Sequence, residues 1–232
     1  MYTQSATESR VTPTTSVNTC SLSGNLEGVS EELSRQERKE RTRQAILDAA
    51  LELSEEGGLS TLSLRSVAKR VGIVPTAFYR HFSSVEELGL ALTEQSFGAL
   101  REMLREVRRD TRDIEGVIEN SVKILVKNVN ERRDHFLFVA RERIAGPTLV
   151  REAIHREMEL IELELAMDIG RLVPTQWSHD DLRTVANLMV TAMTGVVEAI
   201  INSPSTNEAE ILQRAERQLS MVVIGVANWK SS

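Results

Sequence analysis

The sequence predicts an all-α protein, with a small three-helix head followed by a larger domain of long helices. Three observations carry this. Apolar residues make up 41% of the 232 residues while aromatics make up only 4%, so the core is built mainly from Leu, Val, Ile and Ala. Gly and Pro become scarce after residue 34, which favours helices over a turn-rich β fold. From about residue 38 onward, apolar residues recur every three or four positions, and no useful stretch alternates with the two-residue period of a strand.

Residues 1–34 are rich in Ser, Thr, Gly and Asn and lack apolar periodicity, which predicts a disordered tail. Ile46, Ala49, Ala50 and Leu53 then define an amphipathic helix over about Arg38–Glu56, closed by Gly57-Gly58. Ser63 caps a second helix whose apolar side carries Leu64, Val67, Ala68 and Val71, and Gly72 closes it. Pro75 suits the first turn of a third short helix running to about His81-Phe82. Ser84, with Glu87 three residues on, forms a capping-box pattern for a fourth. Helices are then expected over about 84–110, 114–130, 133–145, 147–171, 179–202 and 207–229, broken at Asp113, Gly116, Arg132-Arg133-Asp134, Gly146-Pro147, Pro174 and Ser203-Pro204. The expected organisation is a tail over 1–34, a head over 35–83, and a second domain over 84–232.

Cys20 is the only cysteine, so neither an internal disulfide nor a cysteine-based metal site is possible, and a reducing cytoplasm fits. No run of about 18 apolar residues stands out, so no membrane insertion is expected. The start lacks a basic segment followed by an apolar one, so no secretory signal is expected. The net charge is −6, but it is unevenly spread. Residues 35–82 hold nine Lys/Arg against six Asp/Glu, a balance of +3, while residues 83–232 balance at −6. A local basic segment matters more for phosphate binding than net charge does.

The informative stretch runs from Leu62 to Phe82. Two short helices meet across a turn at Gly72, where the backbone is costly for a residue with a Cβ. Val67, Ala68, Val71, Ile73, Phe78 and Phe82 can pack inward, leaving Pro75, Thr76, Ala77, Tyr79, Arg80 and His81 outward. This is a helix-turn-helix, whose second helix enters the major groove of duplex DNA by its N-terminal residues. Small Thr76 and Ala77 permit close approach, and Tyr79 and His81 can donate to phosphates. Arg80 can serve either purpose. Ser63 and Arg65 sit at a helix N-terminus, which favours an anion. Arg35, Arg38, Lys39, Arg41 and Arg43 form a basic lead-in suited to a flanking phosphate or the minor groove.

These residues carry a family resemblance. Thr42-Arg43-Gln44-Ala45-Ile46-Leu47-Asp48-Ala49-Ala50, Glu56-Gly57-Gly58, Leu62 to Ala68, Val71-Gly72-Ile73, Phe78 to Phe82 and Glu86-Glu87-Leu88 resemble the DNA-binding head of the TetR family of bacterial regulators. At Ser84-Val85 the pattern departs, because the family commonly has a Lys just before the fourth helix. The resemblance implies a transcriptional repressor that binds palindromic operator DNA as a homodimer and responds to a small hydrophobic effector. Pro75 to Phe82, Val85 to Leu90 and Arg141-Glu142-Arg143 are further similar to acyl-CoA-sensing repressors of unsaturated fatty-acid synthesis. That similarity implies a long-chain acyl-CoA effector and fatty-acid desaturation genes; the alternative is another hydrophobic effector controlling efflux or catabolism.

For the effector, Phe97, Met103, Phe136, Phe138, Met158, Met189 and Met193 are candidate pocket residues, with ordinary core burial as the competing reading. Arg141 and Arg143 can fork onto a phosphate or carboxylate, or form ion pairs with Glu142 or Glu157. In the last two helices, Leu188, Ala192, Gly195, Ala199, Leu212, Ala215, Leu219 and Val222 are candidates for the dimer interface that the resemblance implies, or for burial within one chain. No glycine-rich phosphate loop, nucleophile elbow or metalloprotease motif occurs, so no enzyme, cofactor or metal site is expected. A helical adaptor is the remaining alternative, and it would not need an exposed Tyr79-Arg80-His81 surface.

Overall fold

The structure is a computed structural model that describes residues 23–109, 114–172, 177–202 and 207–229. The described residues form nine α-helices and one 3-10 turn, and no strand. The helices are α1 (Ser23–Ser54), α2 (Leu64–Val71), α3 (Pro75–Phe78), α4 (Val85–Arg109), α5 (Ile114–Glu131), α6 (Arg133–Ala145), α7 (Thr148–Leu172), α8 (His179–Asn202) and α9 (Glu208–Asn228). The 3-10 turn, Leu59–Thr61, follows α1.

The chain divides into two units, up to Thr42 and from Arg43 onward. In the first, Arg38 donates to the Ser34 carbonyl at 3.1 Å and the Thr42 hydroxyl donates to the Arg38 carbonyl at 2.9 Å. Helix α1 begins at Ser23, earlier than the expected start near Arg38. Leu26, Val29 and Leu33 extend the helical spacing backward, so the expected tail over 1–34 is helical from Ser23, and the rest of it lies outside the described residues.

In the second unit α1 stops at Ser54, two residues before the expected end. Gly58 then turns the chain with φ of 72°, its N–H bonded to the Ser54 carbonyl at 2.8 Å. Ser63 caps α2, its Oγ accepting the Ser66 N–H at 3.0 Å, and Gly72 ends it in the left-handed region at φ 75°. Helix α3 ends at Phe78, short of the expected His81-Phe82. There the bonding tightens to three-residue steps, with Arg80 N–H on the Ala77 carbonyl at 3.2 Å and His81 N–H on the Phe78 carbonyl at 2.8 Å. The Ser84 Oγ accepts the Glu87 N–H at 3.1 Å, and Glu87 Oε2 accepts the Ser83 N–H at 2.7 Å, so the capping box closes one residue earlier than the pattern predicts.

Two large apolar clusters organise the second unit, beside a smaller one of Ala166, Ile169, Val185 and Ala186. One gathers Ile46, Ala50, Leu59, Val67, Phe78 and Phe82 with Leu88, Leu92 and Phe97 of α4, Phe138 of α6, and Val150 and Ile154 of α7. The core is therefore continuous across residues 83 and 84, and the head shares it with α4, α6 and α7. The other gathers Met103, Val122, Leu125, Val129, Phe136, Val196, Ile200, Ile211, Ala215 and Leu219 from α4, α5, α6, α8 and α9. Helix α8 is long and apolar enough to cross a membrane by length and composition, which the sequence reading missed; here it packs against α5, α6, α7 and α9.

One charged residue lies in the joint. Glu142 of α6 is 2% exposed, and its Oε1 accepts the Leu59 N–H at 2.9 Å. A Cβ on Gly146 would lie 2.6 Å from Glu142 Oε2, so that glycine leaves the space the carboxylate fills. Beside it, Arg141 donates to the Glu55 carbonyl and, at 2.9 Å, to the Ser54 carbonyl that also accepts the Gly58 N–H, where α1 ends.

Burial raises the pKa of Glu142, against the opposing effects of the Leu59 N–H and the Arg141 charge. A raised folded-state value means proton uptake on folding. The resulting stability is fully present below the unfolded carboxyl value and is lost as pH rises through the folded one. Glu142→Gln keeps an acceptor for Leu59 and removes this titration. Urea midpoints across a pH series should therefore show wild type gaining on Glu142→Gln as pH falls. An opposite slope would mean that Arg141 and the Leu59 bond outweigh burial.

Candidate nucleic-acid interface and effector cavity

The helix-turn-helix places the sequence candidates unevenly. Arg65, Pro75, Thr76, Tyr79 and Arg80 are exposed, and Tyr79 is 57% exposed despite its size. Ala77 and His81 are half-buried. Phe78 lies beneath this surface, fully buried, with the Tyr79 ring edge-on to it at 6.0 Å and Phe82 also at 6.0 Å. Ser63 is exposed and its oxygen is engaged as the α2 cap, which leaves its hydroxyl hydrogen for another acceptor. Arg43 is half-buried, its guanidinium 4.4 Å from the centre of the Phe82 ring. This contact ties Arg43 to the packing of the head. Lys69, absent from the sequence candidates, is also exposed, while Arg70 is engaged by Glu52. Arg35, Arg38, Lys39 and Arg41 are exposed on the unit that ends at Thr42.

The second feature is an apolar cavity of about 210 Å³ among α4, α5, α6, α7 and α8. Six sequence candidates line it: Met103, Phe136, Arg143, Met158, Met189 and Met193. Three do not. Phe97 and Phe138 are buried in the core shared with the head, and Arg141 reaches the end of α1. The structure thus separates Arg141 from Arg143, two residues on, whose guanidinium pairs with Glu198 of α8 in the cavity wall. Four lining residues, among others, were missed: Leu100, Val107, Arg108 and Asp168. Arg108 Nε donates to Asp168 at 2.7 Å across a gap of sixty residues, a pairing that no local spacing signals.

The dimer candidates also divide. Ala215 and Leu219 are buried in the chain's own core, and Ala192, Ala199 and Leu212 are half-buried against it. Val222 packs half-buried near Ala166 and Ile169. Leu188 and Gly195 are exposed on α8, and α9 exposes Met221 and Ile224, which the sequence reading did not single out. On α7, Leu160, Leu163 and Met167 are exposed as well.

Residues 46–92, which span the helix-turn-helix and the start of α4, match the family model of bacterial regulatory proteins of the tetR family. The fold is similar to that of several solved structures. A transcriptional regulator from Rhodococcus sp. Rha1 is 21% identical, with a TM-score of 0.63 over 79% of this chain and 96% of that one. A transcriptional regulator of the TerR/AcrR family from Aquifex aeolicus VF5 is 16% identical, with a TM-score of 0.62 over 78% of this chain and 99% of that one. The fatty acid degradation regulator FadR from Bacillus halodurans is 15% identical, with a TM-score of 0.63 over 77% of this chain and 94% of that one. At these identities the likeness is one of fold, while the match over the DNA-binding segment carries the assignment. Residues 46–92 thus match the DNA-binding segment of the tetR family, within a chain whose fold is similar to that of solved transcriptional regulators.

Proposed function

We propose that this regulator is a cytoplasmic repressor that binds a palindromic operator as a homodimer, through a head over residues 35–83, and that an effector in the domain over 84–232 changes its operator affinity. The observation that carries the reading is α6. Arg141 and Glu142 hold the head at Ser54, Glu55 and Leu59, while Val139, Ala140 and Arg143 of the same helix line the cavity. A ligand that moves α6 therefore acts directly on the head's seat. Affinity follows because half-sites about 34–36 Å apart accept only one spacing of two heads. Arg43, Ser63, Arg65, Pro75, Thr76, Ala77, Tyr79, Arg80 and His81 are the proposed DNA-facing residues.

The proposed effector is a long-chain acyl-CoA, and the proposed targets are fatty-acid desaturation genes. The sequence similarity around Pro75 to Leu90 supports this, as does an apolar cavity lined by four methionines, whose flexible side chains adapt to a slender chain. So does the fold shared with a fatty acid degradation regulator. The cavity's volume lies below the usual 300–1,000 Å³ of ligand pockets, which favours a slim or compact ligand.

Three measurements test the reading. With a duplex selected from a random pool by the protein, Tyr79→Ala should weaken binding about tenfold without changing the salt slope, because it removes a neutral donor. Arg80→Ala should also lower the log-log salt slope by about one unit, because it removes a cation. Unchanged affinity in both variants would refute the assigned surface.

Oleoyl-CoA and palmitoyl-CoA should shift wild-type operator affinity and melting temperature, whereas Met193→Trp, which fills the cavity, should abolish both shifts and retain operator binding. If compact apolar molecules act and acyl-CoAs do not, the effector belongs to the efflux or catabolic class.

The exposed Leu188, Gly195, Met221 and Ile224 are the proposed centre of the dimer face. The pair Leu188→Glu and Met221→Glu should sediment as a monomer and bind the operator at least about tenfold more weakly. A dimer that persists would place the interface elsewhere.

A further inference from the structure

Helices α4 and α7 run side by side in the same direction along one edge of the cavity. Arg101 of α4 pairs with Glu157 of α7, and further along Arg108 pairs with Glu164, each time across 56 residues of sequence. Between the two pairs, Leu104 and Ile161 line the cavity. Arg101 and Glu157 are not part of its wall, whereas Arg108 and Asp168 are. Arg108 donates to Asp168 at 2.7 Å and to Glu164 at 2.9 Å. Its side chain is 40% exposed and that of Asp168 28%, so two groups of the wall also reach solvent here. The remaining charged residue of the wall, Arg143, is sealed more tightly. Its side chain is less exposed than that of Arg108, its Nε is buried, and its partner Glu198 lies outside the wall.

These edges differ in what it costs to part them. Most of the wall is apolar side chains packed between helices, and separating those exposes hydrophobic surface to water, at a cost that grows with area. The members of a part-exposed ion pair regain hydration as they separate, so opening one costs little. Arg108 is also the next-to-last residue of α4. The last carbonyls of a helix have no partner within it, and its final turn is the part that frays most readily. The Arg108 clasp is therefore the point of least resistance between cavity and solvent.

We infer that ligands enter and leave the cavity between the end of α4 and α7, through a gate formed by Arg108 closed on Glu164 and Asp168. The inference rests on the proposed effector role of this cavity and adds the route to it and the control of that route. The same ion pairs are intact before and after a ligand passes, and are broken only during passage. Weakening them lowers the barrier to entry and to exit alike, so both rates change together and affinity does not. Ionic strength then sets how fast the protein responds to a ligand, and leaves how tightly it holds one unchanged.

Stopped-flow fluorescence with the full-length protein and 1-aminoanthracene, a neutral apolar probe, tests the gate. Glu164→Lys replaces one acceptor of Arg108 by a second cation, at a residue outside the cavity wall. It should raise the association and dissociation rate constants about fivefold each and keep their ratio within about twofold. Glu157→Lys makes the same change on the same seam, beside Arg101 and away from the wall, and its rates should match wild type. In wild type, raising salt from about 0.05 to about 0.5 M should speed both steps by screening the clasp, and should do so less in Glu164→Lys. Wild-type rates that ignore salt, unchanged rates in Glu164→Lys, or equal acceleration in both variants would each overturn the inference. If one of these occurs while Met193→Trp still abolishes probe binding, the cavity's effector role stands and only the gate fails. If the probe does not bind wild type, or binds Met193→Trp equally well, both fail together.

Discussion

The contact on which the rest of the structure depends is the seat of Glu142 against Leu59. A carboxylate that is 2% exposed accepts the N–H that opens the 3-10 turn after α1, and Arg141 donates to the carbonyls of Ser54 and Glu55 at the end of α1. Chain ends of this kind normally turn to water. Here they turn inward, onto one helix of the larger domain. The turn at Gly58, with its positive φ, is what points the Leu59 N–H at α6. A side chain there would meet Glu142 Oε1 at 2.5 Å, so glycine is required by both backbone and space.

With its rear fixed in this way, the head can leave its front polar. Phe78 and Phe82 fill the space between α2, α3 and α4, and Arg43 lies over the Phe82 ring. Val74, Pro75, Thr76, Tyr79 and Arg80 are then exposed around a helix of only four residues. Such a helix has no stability of its own. It keeps its shape because Phe78 is buried and because Gly72 lets α2 stop abruptly.

The head was legible in the sequence because its determinants are local. The Ser63 cap, Gly72, Pro75 and the Ser84–Glu87 box are each decided within a few residues, and the structure shows each at or next to its expected place. The long helices were legible for the same reason, to within one or two residues at most ends. The start of α1 was missed because Ser, Gly and Asn between Ser23 and Ser34 outweighed the sparse spacing of Leu26, Val29 and Leu33. The cavity was legible only in part. Met189 and Met193 could be chosen for their flexibility, but Arg108 and Asp168 meet across sixty residues. Arg141 and Arg143 look alike in sequence, yet they point to different ends of the same linkage: the path of α6 separates them, and no property of the two side chains does.

That separation bears on how the fold can transmit a signal. The head and the larger domain share an apolar core from Ile46 to Ile154. Apolar contact is non-directional, so a core alone would let the head slide with little penalty. Hydrogen bonds to Ser54, Glu55 and Leu59 are directional and tolerate little change in distance or angle. On the proposed reading, they would convert a shift of α6 into a reorientation of the head rather than a slip at its base. Retaining a buried charge at this point has an energetic cost that an apolar side chain would avoid, and the return is a defined angle between cavity wall and head. On the proposed reading, in which two heads match a fixed half-site spacing, that angle is the quantity an effector would change.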